Sequence, residues 1–180
     1  KCHAEFPDVH YWGNGSGRTR ITKTKDHAMF TSDGSMSDWL PQCYVEADYM
    51  INIPVFKKHH RAGISLSSKN HFGTFVPFRG SAFHWHFSLP AADGGGDVNN
   101  GDYGLYRCFV DIMGHKDIGG KTILYLIDGL WGSTNWAHPP IKWRMEPFNN
   151  DWPSSIFLSQ DPVAIESVGY DFLCEEFGPD

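Results

Sequence analysis

The segment Thr122–Ile127, TILYLI, is an unbroken run of β-branched, aliphatic and aromatic side chains that ends at Asp128-Gly129. A strand that is apolar on both sides needs cover on two faces, which is the situation of a strand inside a parallel sheet. Tyr49–Val55 (YMINIPV) reads as a second strand, with Pro54 marking its end, and Ser155–Leu158 (SIFL) reads as a third. Tyr103–Met113 carries Leu105, Phe109 and Ile112 at helical spacing. Asp161-Pro162 reads as an N-cap with proline at the first helical position. It opens a helix through Val163, Ile165, Val168, Phe172 and Leu173 that stops at Gly178-Pro179. Val9–Trp12 and Arg20–Lys23 are weaker strand candidates. Strand and helix alternate, so the expected fold is α/β, a mostly parallel sheet with covering helices in which the three main strands run the same way. A chain of 180 residues fits one such domain.

Charge and composition narrow the function. The net charge of -6 argues against a general nucleic-acid partner. No apolar run approaches the roughly 20 residues that span a bilayer. The chain begins at Lys1 with no secretory h-region, which reads as a processed product or a fragment. Cys2, Cys43, Cys108 and Cys174 form no C-x-x-C pair, so neither a zinc ribbon nor a cysteine-held iron–sulfur cluster is expected. Their disulfide state stays open, with Cys108 and Cys174 read as buried thiols on helices.

The polar motifs fall at strand ends. Tyr49–Val55 runs into Lys57-Lys58-His59-His60-Arg61, Thr122–Ile127 into Asp128-Gly129, and Ser155–Leu158 into Ser159-Gln160-Asp161. In an open parallel sheet these places share the carboxyl edge, where ligands bind. The basic cluster, with Lys69 and Asn70 close behind, suits a carboxylate or phosphate. Small residues between the charges (Ala62, Gly63, Ser65, Ser67, Ser68) allow close backbone approach. Histidine beside lysines should be held neutral, as a base at pH 7 would be. His84-Trp85-His86 puts two imidazoles on one face if extended, a pair that can share a transition metal with a third ligand. Each residue also has a local explanation. A charge run is usually solvated surface, Asp161 caps a helix, Asp128 serves a turn, and paired histidines are more often hydrogen-bonded than metal-bound.

Three segments, INIPVFKKHHRAGISLSSKNHFG (Ile51–Gly73), LYLIDGLWG (Leu124–Gly132) and SSIFLSQDPVAIESVGYDFL (Ser154–Leu173), resemble the family called domain of unknown function 362. The resemblance spans nearly the whole chain and implies motif positions Lys57, His59, Lys69, Asn70, Asp128 and Asp161. Glu166 stands where the family usually has aspartate. The resemblance also implies that 1–180 is the C-terminal portion of a larger α/β domain, that a missing upstream segment or another chain covers the sheet, and that the protein is exported to the periplasm or cell surface. A shorter stretch, His59-x-x-Ala62-Gly63-x-Ser65-x-x-x-Lys69, is similar to a segment of nickel-pincer lactate racemases. There a histidine does acid–base work, a lysine tethers the cofactor, and a downstream histidine binds nickel.

The residues therefore suggest an enzyme that binds a small anionic substrate at the sheet's carboxyl edge. His59, Lys69, Asp128 and Asp161 are the catalytic candidates converging on one cavity, Lys57 and Asn70 the cofactor or anion contacts, and His84 and His86 the ligands of a transition metal. The alternative is a non-catalytic exported binding or assembly protein that uses its Trp-rich loops, with Trp131, Trp136, Trp143 and Trp152 exposed.

Overall fold

The computed structural model describes residues 11–12, 19–77, 85–86, 107–135 and 137–178. In chain order the elements are β1 (Tyr11–Trp12), β2 (Thr19–Arg20), β3 (Ala28–Phe30), β4 (Ser37–Trp39) and the short helix α1 (Gln42–Glu46). Next come β5 (Met50–Asn52), β6 (Val55–His59), β7 (Gly63–Ile64), β8 (Val76–Pro77) and the helix α2 (Phe109–Gly114). The long strand β9 (Thr122–Ser133), β10 (Ser155–Ser159) and the helix α3 (Pro162–Phe177) complete the chain. The fold is α/β. Of the residues read as an earlier start to α2, Tyr103 and Leu105 lie outside the described residues.

The apolar run TILYLI forms the first half of β9, the strand on which the main sheet is built. β5 and β6 both pair with it in parallel, Ile51 opposite Leu124 and Val55 opposite Asp128, and the strand order is β10-β9-β6-β7. Two expectations are corrected. Tyr49–Val55 is not one strand. Proline has no N–H for a ladder, so pairing breaks at Ile53-Pro54 and resumes as β6, while the Pro54 carbonyl accepts from Asp128 N at 2.9 Å. The basic cluster thus lies largely within a strand rather than after one. The second correction is that β10 runs antiparallel to β9, Ser155 opposite Gly129 and Ser159 opposite Tyr125. Among the described residues, the chain between them makes no helical crossover. It turns back through bridges joining Gly132 to Ile141 and Trp143 to Asp151, and Ser154 N donates to the Leu130 carbonyl. A connection that returns at the end it left must pair antiparallel.

Strand alternation gives the sheet two unlike faces. Phe56, Tyr125, Ile127 and Trp143 pack beneath α3 with Ile165 and Leu173. At Gly169 the helix comes so close that an added Cβ would stand 2.6 Å from Leu66 Cδ1 and 3.2 Å from Ile127 Cδ1. On the opposite face Ile51, Ile53, Val55, Leu130, Ile156 and Leu158 are exposed. Parallel ladders are normally covered on both sides, and here one face is open among the described residues. A second core, with Met29, Leu40, Phe72, Phe75, Trp85 and Ile112, gathers beside the sheet β3-β4-β8.

Helix α3 is delimited by local chemistry, as the sequence suggests. Asp161 Oδ1 accepts from Val163 N at 2.8 Å and Ala164 N at 3.1 Å, and Gly178 at φ 82° closes the helix by donating to the Cys174 carbonyl. Asp161→Ala should therefore cost about 1 kcal/mol of stability. Urea unfolding would measure it, and a change within error would show that the cap contributes nothing.

Candidate functional site

Strand geometry divides the basic cluster. Alternation sets Lys57 and His59 on one side of β6 with Val55, and Lys58 on the other. Lys58 is buried, its ammonium donating to the Gly178 carbonyl at 2.9 Å, so it caps the C-terminus of α3 rather than serving a ligand. Val55, Lys57 and His59, joined by Ser65, Lys69 and Asn70 from the segment after β7, line a cavity of about 310 Å³.

β6 turns tightly into β7, helped by Gly63 at φ 74°. The turn aims two backbone N–H groups at the His59 ring. Arg61 N and Ala62 N donate to Nδ1 at 3.1 Å and 3.3 Å. Nδ1 is thus the acceptor and Nε2 carries the hydrogen. Burial, then the charges of Lys69, His60, His86 and Lys57, lower the His59 pKa to about 3. The residues suggest a neutral base here. The ring is neutral, but its lone pair is taken by the backbone, which leaves His59 an N–H donor at neutral pH.

Lys69 opens a short 3₁₀ turn, Lys69–His71, and its Nζ lies 4.2 Å from the centroid of the Phe72 ring. Burial, and secondarily Lys57, lower its pKa to about 8, while Cys108 acts in the opposite sense. Among the described residues, no carboxylate forms an ion pair with Lys57 or Lys69.

A buried polar network holds the lysine segment in place, and of its members only Asn70 is among the candidate site residues read from the sequence. Asn52 Nδ2 donates to the Ser67 carbonyl at 2.8 Å and to His71 Nε2 at 3.0 Å, while its Oδ1 accepts from Asn70 Nδ2 at 2.9 Å. Glu166 Oε1 reaches across from α3 to accept from Ser68 N at 2.6 Å. Burial raises the Glu166 pKa, and the hydrogen bonds from Ser68 oppose that rise. Asn52 lies in the family-like segment Ile51–Gly73 and is the lone amide within YMINIPV, where alternation turns it inward.

The remaining candidates are placed differently. Asp128 pairs with Val55 across the ladder, so it shares the cavity's face of the sheet, but it does not line the cavity, and its Oδ1 accepts from Leu130 N. Asp161 follows Ser159, which pairs with Tyr125, so the reversal of β10 carries it away from the end of the sheet that bears His59. The expected convergence of His59, Lys69, Asp128 and Asp161 on one cavity therefore reduces to His59 and Lys69, joined by Lys57 and Asn70. His84 lies outside the described residues. The His86 ring stacks 6.0 Å from that of His59 and meets Phe72 edge-on, and among the described residues no group of three or more metal-type ligands is assembled. Trp143 is fully buried in the core beneath α3, Trp131 is exposed, and Trp136 lies outside the described residues.

A family model described as Domain of unknown function (DUF362) matches residues 20–171. No curated protein and no solved structure matches the chain. The local likeness of His59–Lys69 to the racemases gains no support from these comparisons.

Proposed function

The chain belongs to the DUF362 family, and from that premise we propose that it binds a small carboxylate- or phosphate-bearing molecule in the cavity formed by β6 and the segment Ser65–Asn70. One observation carries this reading. Lys57 and Lys69 stand together at a cavity of about 310 Å³ and, among the described residues, no protein carboxylate pairs with either. Two partly buried cations side by side repel each other, and an anion between them relieves both the repulsion and the lost hydration. The His59 N–H adds a neutral donor whose proton is fixed on Nε2 by the backbone. Asn70, already tied to Asn52, adds an amide held in place. Within an enzyme built on this site, Lys69 is the group that exchanges a proton near neutral pH, and His59 is the fixed donor.

Calorimetric titration of the full chain with acetate, pyruvate and inorganic phosphate tests the reading. Binding is expected, and Lys57→Ala should weaken it by about tenfold to a hundredfold, the worth of one charge-assisted contact. The unliganded variant should be no less stable than the parent, because a repulsive pair has been relieved. If none of the three anions binds, or if Lys57→Ala binds as the parent does, the cavity is not an anion site.

A further inference from the structure

We propose that Lys69 is an imine-forming amine and that the cavity takes small 2-oxo acids, whose carboxylate occupies the anion site on which this inference rests. A lysine forms an imine when its nitrogen spends appreciable time uncharged, when no protein carboxylate holds it as an ammonium, and when a donor polarises the carbonyl beside it. All three conditions meet at Lys69. Its side chain is half-buried, which lowers its pKa, while the contact of its Nζ with the Phe72 ring favours the ammonium and opposes that lowering only in part. Among the described residues, the charged or titratable groups that interact with it are Lys57 and His59 from β6 and Cys108 at the start of α2. Lys57 supplies the neighbouring positive charge, and among the described residues no carboxylate opposes it. With the pKa lowered to about 8, the uncharged fraction at pH 7 exceeds that of an ordinary lysine by roughly two orders of magnitude.

The other groups divide the work. Lys57 and the Asn70 amide suit the carboxylate, and the His59 Nε2–H suits the keto oxygen. Neutral His59 cannot compete for the substrate's negative charge as an imidazolium would, and it cannot protonate Lys69. The cavity volume lies at the small end of ligand sites, about 300–1,000 Å³, which fits an acid of a few carbons. In the step itself the Nζ lone pair adds to the carbonyl carbon, the C=O π pair moves to oxygen, and the proton released by Nζ ends on that oxygen. Loss of water from this adduct leaves the C=N bond.

The test uses the full chain with pyruvate as probe and sodium borohydride as trap. Hydride adds to the imine carbon and water supplies a proton to nitrogen, which fixes a secondary amine that peptide mass mapping can locate. Lys69 is expected to be labelled at least about tenfold more than any other lysine. The labelling should rise between pH 7 and pH 9, fall when inorganic phosphate fills the anion site, and vanish in Lys69→Arg, which keeps the cation. Labelling spread without preference over the lysines, or undiminished in Lys69→Arg, overturns the proposal. Calorimetry with phosphate on the same sample separates the two readings. Phosphate binding without a Lys69 adduct leaves the anion site standing and removes the imine, and failure of both removes both.

Discussion

Gly132→Ala is expected to destabilise the protein by at least about 3 kcal/mol, the upper part of the range for overpacking a filled core. A Cβ at Gly132 would sit 2.3 Å from Trp143 Cζ2 and 2.6 Å from both Cε2 and Nε1. The indole has nowhere to go. Trp143 is fully buried, and its ring packs against Phe56, Phe148 and Phe177 at centroid distances of 4.9, 5.4 and 5.4 Å. Gly132 is itself in β9, bridged to Ile141, so the strand cannot retreat without breaking that bridge. The same contact yields a sharper measurement. Among the described residues Trp143 Nε1 is buried with no hydrogen-bond partner, so Trp143→Phe removes ring volume near Gly132 and sacrifices no hydrogen bond seen there. Gly132→Ala should therefore cost less in a Trp143→Phe background than in the parent, a coupling that urea denaturation of the four proteins in the cycle would reveal. Additive costs would mean that the two residues do not meet in solution.

Acidification from pH 7 to pH 5 should remove on the order of 3 kcal/mol of folding free energy, well before ordinary carboxylates titrate. Two buried histidines dominate the expectation. His71, 4% exposed, accepts from Asn52 at Nε2, and burial lowers its pKa to about 4. His59, 7% exposed, is lowered to about 3. Both folded values lie below the unfolded value near 6.5, so the unfolded chain binds more protons in the window between. Their contribution is complete above about pH 6.5 and is lost as pH falls through that window, at up to about 1.4 kcal/mol per unit for each ring. Glu166 has the opposite sign. Burial raises its pKa, so it favours the folded state as protons are added and offsets part of the loss. Asp117, lowered to about 2, responds only at more acidic pH. Urea unfolding at pH 7 and pH 5 measures the difference. His71→Gln, which cannot titrate, should start less stable and show roughly half the slope. A stability that is flat or rises on acidification would mean that neither ring is held neutral.

The parts of this molecule that are legible in its sequence are those set by near neighbours. Asp161-Pro162 and Gly178 delimit α3 because a cap needs only an oxygen, a fixed φ and a residue that tolerates positive φ within a few positions. TILYLI announces the central strand because β-branched, aliphatic and aromatic side chains favour extended chain, although only Tyr125 and Ile127 of the run are buried. Lys57, His59, Lys69 and Asn70 are recognisable as a set because they lie within a short stretch of one motif. Tertiary structure decided the rest. The direction of β10 depends on where the excursion after β9 lands, which no residue of SIFL encodes, and its reversal separated Asp161 from His59. Of two adjacent lysines, Lys58 was assigned to the end of α3 and Lys57 to the cavity, since strand alternation gives them opposite faces and only packing says what lies on each. His59 became a donor because a turn placed two N–H groups against Nδ1, and Asn52 became a support because three segments closed around its amide. Residue type sets which protons and charges a side chain can offer. Which of its atoms remain available depends on contacts made by chain that is distant in sequence, and those exist only once the fold has formed.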